Sequence, residues 1–332
     1  MPERAASSTR TPPRRPSAPI VRPDVPGIVR AGDLHVDDLA RRVRDHDLIR
    51  VVRGIYAEPP PDGPPWRNRQ YMLLARAAAL HRRMTGGHWF SHTTAAVLWG
   101  LDLGEVPSTV HATTLVNPHV RRDRWDGTEV QMHWTSRREL AAEVTGLLPM
   151  PASSLERTAF DCAATIPPGR ALAVVDSALR AGADPEVLAG MVDAAAGRRG
   201  VRRARAVVER ADGRSDSAGE SLVRWMLLEA GLPVPDLQLA IETRLGWRWV
   251  DLGWTEERVA VEFDGRQKYG STQQEAVRSV FEEKRRQDAI EDEGWTVARV
   301  TWADLRDPSA VTGRIGRALR RSRNRRVWTT PR

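Results

Sequence analysis

Residues 249–269 read WVDLGWTEERVAVEFDGRQKY, and the reading of this stretch decides the last third of the chain. Val259, Val261 and Phe263 alternate with Ala260, Glu262 and Asp264, the period-2 pattern of a strand with two unlike faces. Trp249 to Gly253 reads as its partner strand, with Asp251 between Val250 and Leu252. A hairpin turning at Glu256 and Glu257 sets Leu252 opposite Val261, Asp251 opposite Glu262 and Trp249 opposite Asp264. That register gathers the small apolar side chains on one face and Asp251, Glu262 and Asp264 on the other. Facing Cβ atoms in such a ladder lie roughly 5 Å apart, close enough for carboxylates to repel. A divalent cation held between them removes that cost, because Mg2+ (or Mn2+) takes carboxylate oxygens. The three acids are therefore candidate metal ligands.

The stretch also holds one of the two lysines of the chain. Of 51 basic residues, all but Lys268 and Lys284 are arginine. A requirement for an ammonium, with its compact charge and adjustable pKa, would explain both exceptions. Outward from the hairpin, Ser217-Ala218-Gly219-Glu220 is a capping-box pattern opening an apolar helix, Leu222 to Ala230, stopped by Gly231 and Pro233. Leu237 to Glu242 reads as a strand. Gln273 to Glu293 reads as a long polar helix carrying Val277, Phe281, Lys284 and Asp288 on one face, and Trp295 to Val300 as a last strand. The two lysines are the expected neutralisers of the three acids. Trp247, Trp249 and Trp254 are placed to stack on bases, whereas Trp295 and Trp302 read as core.

An order of helix, three strands, helix and strand, with Glu220 on the first helix, Asp251 on one strand and Glu262 on the next, resembles the PD-(D/E)xK nuclease core. The tetrad Glu262-Phe263-Asp264-Gly265, the pair Lys268-Tyr269, the run from Glu283 to Asp288, and Gly294-Trp295 are most similar to a domain-of-unknown-function family related to very-short-patch-repair endonucleases. The resemblance covers residues 215–319. It implies a restriction-endonuclease-like α/β core in which Asp251 and Glu262 bind metal and Glu220 supports the site from the helix. The lysine of that superfamily lies two residues after the second acid, a position taken here by Asp264. By resemblance, then, Lys268 or Lys284 acts from the loop or the helix. The activity implied is metal-dependent hydrolysis of phosphodiester bonds in nucleic acid, DNA foremost.

The front of the chain reads differently. Residues 1–27 are rich in Pro, Arg and Ser and are expected to be a disordered leader with no signal-peptide core. Asp37 to Arg44 reads as a short helix with acids at its N-terminal end, Leu39 and Val43 as its apolar stripe, and Arg41, Arg42 and Arg44 as its basic face. Two β-rich runs around Arg53-Gly54 come next, a winged-helix-like arrangement over 28–60. LIRVVRGIYAEP resembles the end of the winged-helix domain of AbiEi-type antitoxins. HWFSHTTAAVLWGL, VHATTLV and SSLERTAFDCAA resemble the segment after that domain in related actinobacterial proteins, giving a mixed α/β middle domain over 66–200. Read as residues, the three arginines suit phosphate contact and a solvated helix face equally. The resemblance implies an alternative function, a non-enzymatic DNA-binding antitoxin or regulator with a degenerate nuclease fold, and leaves open a toxin or defence-system partner.

Within the middle region, helices are expected over Gln70–Arg83, Ser154–Ala164 and Ala171–Ala181, with strands over Val110–Val116 and Glu129–Trp134. Ser91 and His92 open another helix, with Ser91 as its cap rather than a nucleophile, because adjacent helical residues point apart. His111, His119 and His133 lack metal-ligand spacing and read as structural. Residues 197–214, with seven arginines, read as a linker or a solvated helix end, the linker slightly favoured, with phosphate-backbone contact as a further reading, and 320–332 as a basic tail. The lone Cys162 excludes an internal disulfide and a cysteine zinc site, which suits a reducing cytoplasm. No apolar run approaches the roughly 20 residues of a membrane span. A net charge of +8 favours polyanionic partners. The whole reads as an α/β, multidomain chain.

Overall fold

A computed structural model describes residues 12, 15, 17–117, 129–265 and 273–329. The chain is a mixed α/β protein that divides into two compact units, one running from Pro19 to Gly213, the other formed by Arg214 onward together with the described residues before Pro19.

In the first unit, β1 (Ile28–Arg30), α1 (Val36–Arg44), β2 (Ile49–Val52) and β3 (Ile55–Ala57) build a three-stranded antiparallel sheet, order β1-β3-β2, with one helix before the ribbon. Gly54 makes the tight turn at φ 72°, a left-handed conformation that costs glycine little. The inner face, Val52, Ile55 and Ala57, packs on Ala75 and Ala79 of α2 (Pro65–Arg83). The expected stripe of α1 is only partly used: Leu39 is half-buried, but Val43 is exposed. Residues 19–27 of the expected leader lie along this unit, with the Arg22 guanidinium 4.7 Å over the Trp99 ring.

A second sheet, order β6-β5-β4-β8-β7, contains β4 (His88–Phe90), β5 (Val110–Thr114), β6 (Val130–Trp134), β7 (Val144–Thr145) and β8 (Ala152–Ser153). Around it lie α3 (His92–Trp99), α4 (Leu155–Thr165), α5 (Pro168–Arg180), α6 (Pro185–Ala194) and α7 (Val201–Val208). Most of these match the expected positions. The arginine-rich stretch 197–214 does not. It contains α7, which buries Ala204 and Val207 and packs on α4, α5 and α6, so it is a core element. Its arginines are spaced on the outer side of an amphipathic helix, and arginine count alone hid the inner stripe. Gly200, at φ 86°, starts that helix where an added Cβ would lie 2.3 Å from the Ala164 carbonyl oxygen.

In the second unit the order is α8 (Ala218–Glu229), β9 (Asp236–Thr243), β10 (Gly246–Trp254), β11 (Val259–Asp264), α9 (Gln273–Asp292), β12 (Thr296–Thr301) and α10 (Pro308–Thr329). The sheet order is β12-β11-β10-β9, antiparallel except for β12, which returns through α9 to lie parallel to β11. One face carries Leu252, Val259 and Val261 against Val223 and Leu227 of α8 and Ile315 of α10. The other carries Ile241, Val250 and Ala260 against Ile290 of α9. The face of α9 proposed from sequence is not the one that docks. Phe281 is 69% exposed and Lys284 is exposed, while Ala289 and Ile290 are buried, because the helix needs only one apolar turn to cover the sheet. The expected basic tail is helical through Thr329, as the end of α10. No helix among the described residues is long and apolar enough to cross a membrane.

Candidate metal-binding carboxylate site

Glu220 owes its position to helix capping. Ser217 caps α8 by accepting the Glu220 N–H at 3.3 Å, and its hydroxyl donates to Glu220 Oε1 at 2.9 Å. Oε2 accepts the Asp216 N–H and the Gln238 side-chain amide, each at 2.9 Å. The carboxylate is buried and held by three donors of its own unit. Its neighbour Gly219 leaves room for the ring of Phe263. A Cβ there would fall 1.9 Å from Cε1 of that ring, so glycine is what lets the helix N-terminus approach β11.

Asp251 sits where β10 and β11 part. The ladder runs from Trp254↔Val259 to Leu252↔Val261, in the expected register, and ends there. Phe263 N–H then donates to Asp251 Oδ2 at 2.7 Å. Beyond that point the expected rungs of Asp251 with Glu262 and Trp249 with Asp264 are not formed: β10 runs on paired with β9 alone, Trp249 opposite Ala240, and β11 with β12 alone, Asp264 opposite Thr301. Asp251 and Glu262 lie at the end of the ladder, close enough that the charge of Glu262 raises the cost of ionising Asp251.

Glu262 is buried, with the Arg286 guanidinium of α9 donating to its Oε1 and, at 3.3 Å, to the Trp249 carbonyl. Arg299, its rung partner on β12, places Nε 3.9 Å from Oε2 and holds Glu283 at 2.6 Å. The neutralising cations are therefore arginines from the two elements after the hairpin, which corrects the expectation that only the lysines were available. Nothing in spacing marks them: Arg286 is one of three basic residues in succession, and only the rotation of α9 selects it. Lys284 lies on the exposed side of the same helix, and Lys268 falls outside the described residues. Asp264 is exposed at the end of β11. Arg41, Arg42 and Arg44 belong to α1 in the other unit, where Arg41 is paired with Asp38.

The electrostatics are a product of this packing. Burial, then the charge of Asp251, pushes the Glu220 carboxyl well above the usual carboxylate range, against the pull of the Asp216 and Ser217 donors. Burial also raises Asp251; the Phe263 N–H opposes this, Glu262 adds to it, and Arg15 and Arg286 lessen it. Asp251 thus stands between two further acids, acting on Glu220 and acted on by Glu262, and all are oxygen donors of the kind a hard divalent cation takes, although the described residues that bring three ligand atoms within 4.8 Å of one another are histidines of the other unit.

In the first unit the histidines read as structural do come together. One nitrogen each from His92, His111 and His133 lies within 4.8 Å of the others. His119 falls outside the described residues. Ser91 does not cap α3 through its side chain; its Oγ lies 2.9 Å from His92 Nδ1, because His92 takes φ 51° and turns its ring back.

No family model matches the chain. It is 33% identical over 286 residues to Uncharacterized protein MT2308 of Mycobacterium tuberculosis (strain CDC 1551 / Oshkosh), covering 85% of this chain and 96% of that protein. The same figures hold for Uncharacterized protein Rv2248 of strain ATCC 25618 / H37Rv. The chain belongs to the family of these mycobacterial proteins. Among solved structures, that of the RV2827C protein from Mycobacterium tuberculosis aligns over 66% of this chain and 84% of its own, with 17% identity and a TM-score of 0.36.

Proposed function

We propose that the unit from Arg214 onward is a metal-dependent phosphodiesterase acting on nucleic acid, DNA foremost, of the PD-(D/E)xK endonuclease type, in a cytoplasmic protein. The observation that carries this reading is the approach of the buried carboxylates of Glu220 on α8 and Glu262 on β11 to the half-buried Asp251 on β10, at a point where the sheet opens and where burial first, then repulsion, raises Glu220 and Asp251. Asp251 and Glu262 would hold Mg2+ or Mn2+, with Asp264 at the strand end. Such an ion supplies polarisation of a phosphate and a lowered pKa for bound water. Glu220, already held by Ser217, Asp216 and Gln238, would support the site from the helix rather than bind metal, and Arg286 and Arg299 fix the orientation of Glu262. An ammonium from Lys268 or Lys284 would orient the attacking water or stabilise developing charge. Its reach from the exposed side of α9 is the harder for Lys284.

The ion pair between Arg286 and Glu262 favours a second reading: a DNA-binding regulator of the antitoxin type in which a guanidinium has taken the cation's place. A cleavage assay on a panel of DNA and RNA substrates, with and without Mg2+ or Mn2+, separates the two. Cleavage that requires the metal and disappears in Asp251→Ala supports the enzyme. Binding of DNA without cleavage at any metal concentration supports the regulator.

A further inference from the structure

The first unit brings three imidazoles together from elements far apart in the chain. His92 opens α3, His111 lies on β5 and His133 on its parallel neighbour β6. His111 Nδ1 and His133 Nε2 are 3.0 Å apart. The His92 ring lies 3.9 Å from that of His133 and 5.3 Å from that of His111, centre to centre. His92 holds its place at φ 51°, a left-handed conformation that costs a side-chain-bearing residue about 1–2 kcal/mol. The local packing over-determines it: Ser91 is fully buried, its Oγ accepts from Thr113 at 2.8 Å, and the His111 N–H is tied to Thr94 at 2.8 Å. Strain of this kind, kept in place by its surroundings, belongs to sites.

A serine hydroxyl, an imidazole and the Asp161 carboxylate at 4.0 Å suggest a hydrolytic triad, but the geometry rejects it. Ser91 Oγ and Asp161 Oδ2 both approach His92 Nδ1, whereas a general base needs the nucleophile and the orienting acid on opposite nitrogens. The arrangement suits a different task. With Nδ1 hydrogen-bonded to Ser91 Oγ at 2.9 Å and the Asp161 carboxyl 4.0 Å behind it, Nε2 of His92 is left for a ligand on the other side, the pattern of a metal-bound histidine oriented through its second nitrogen. An uncharged imidazole, the ordinary form of histidine above its usual pKa of about 6.5, offers one lone pair per ring, and the three rings bring one nitrogen each within 4.8 Å of the others.

We propose that His92, His111 and His133 bind a divalent transition-metal ion, zinc above all, with Asp161 positioning His92 from behind. Three imidazole nitrogens are borderline donors that favour zinc over magnesium. Two nitrogens on a tetrahedral zinc, at about 2.0–2.1 Å from the ion, stand roughly 3.3 Å apart, close to the His111–His133 separation. The rings are stacked, within 25° of parallel, and rotation about χ2, a broad torsion in histidine, turns their lone pairs onto one ion. Three protein ligands leave a fourth position for water or an anion. This site is distinct from the carboxylates of the other unit and does not depend on their function.

The test uses the full chain, stripped of metal and titrated with Co2+, a zinc substitute whose visible absorption reports coordination. Saturable uptake of one ion with the strong bands of a four-coordinate site is expected. His133→Gln should weaken it by at least about 100-fold, and Asp161→Asn by about 10–100-fold with the spectrum retained. Excess Mg2+, which competes for carboxylate oxygens and not for imidazoles, should leave the strong bands unchanged, separating this site from the acidic one. X-ray absorption at the zinc edge of the wild-type protein, showing several imidazole ligands at about 2.0–2.1 Å, answers the question even if a variant fails to fold. No saturable Co2+ uptake by the wild type, a spectrum unchanged in His133→Gln, or a zinc shell without imidazole overturns the proposal.

Discussion

Arg286 decides how the acidic site behaves, because its guanidinium and a metal ion compete for one carboxylate. Arg286→Gln should lower stability in the absence of metal by about 1–3 kcal/mol, since a buried hydrogen-bonded charge loses its partner while Arg299 remains nearby. It should also raise Mg2+ affinity, so that added Mg2+ increases the melting temperature more in the variant than in the wild type. Equal shifts in both proteins would show that Arg286 and the ion do not share Glu262. Glu220 gives the second test. Its folded pKa is raised, so the folded chain keeps a proton that the unfolded chain releases above pH ~4.3. Stability therefore falls as pH rises from that value up through the raised folded pKa, then levels off. Glu220→Gln removes this titration while keeping the volume. Urea midpoints measured from pH 5 to pH 8 should decline less in the variant, and parallel curves would exclude Glu220 as the source. These carboxylates were legible because alternation in a hairpin fixes which side chains share a face. The arginines were not, since 49 candidates of one kind leave sequence no way to choose among them.

At the scale of elements, the hairpin register from Leu252 to Val259 came from pattern alone, and so did the order of helices and strands after Ser215. What failed was rotation and termination. The polar helix α9 has too few apolar residues to set its inner face by periodicity, and Ile290 with Ala289 turned out to anchor it. The ladder stopped short of the expected rungs at Asp251 and Trp249, and Asp251 takes a backbone N–H instead, a use of the side chain that alternation does not contain. His92 escaped notice for a similar reason: its left-handed backbone defeats the rule that neighbours on a helix point apart. Gly219 offers the element-scale prediction. Gly219→Ala would drive a methyl group into the Phe263 ring and push the N-terminus of α8 away from β11. A loss of about 1–3 kcal/mol in chemical denaturation is expected. Gly219→Ala combined with Phe263→Leu should recover part of it, and a single variant as stable as the wild type would mean the helix does not need this approach.

For the whole molecule, the excess of positive charge bears on nucleic-acid affinity, and α1 brings three arginines to one short helix of the first unit. Each phosphate contact contributes about 0.9 to the slope of log affinity against log salt on duplex DNA. Replacing Arg41, Arg42 and Arg44 together with alanine should weaken binding and reduce that slope by about 2 to 3. An unchanged slope would assign those side chains to a solvated helix face. The division into two units has a consequence for synthesis. Arg15 belongs to the later unit, where it meets Gln238 and lies 3.6 Å from Asp216, yet it is made 223 residues before Gln238. At about 5–20 residues per second, it waits roughly 10–45 s on the ribosome for that acceptor to be made. The whole Pro19–Gly213 unit is translated within that interval and is free to fold first. Arg15 leaves the ribosome before any residue of the Pro19–Gly213 unit and is placed only after the last of them has been made.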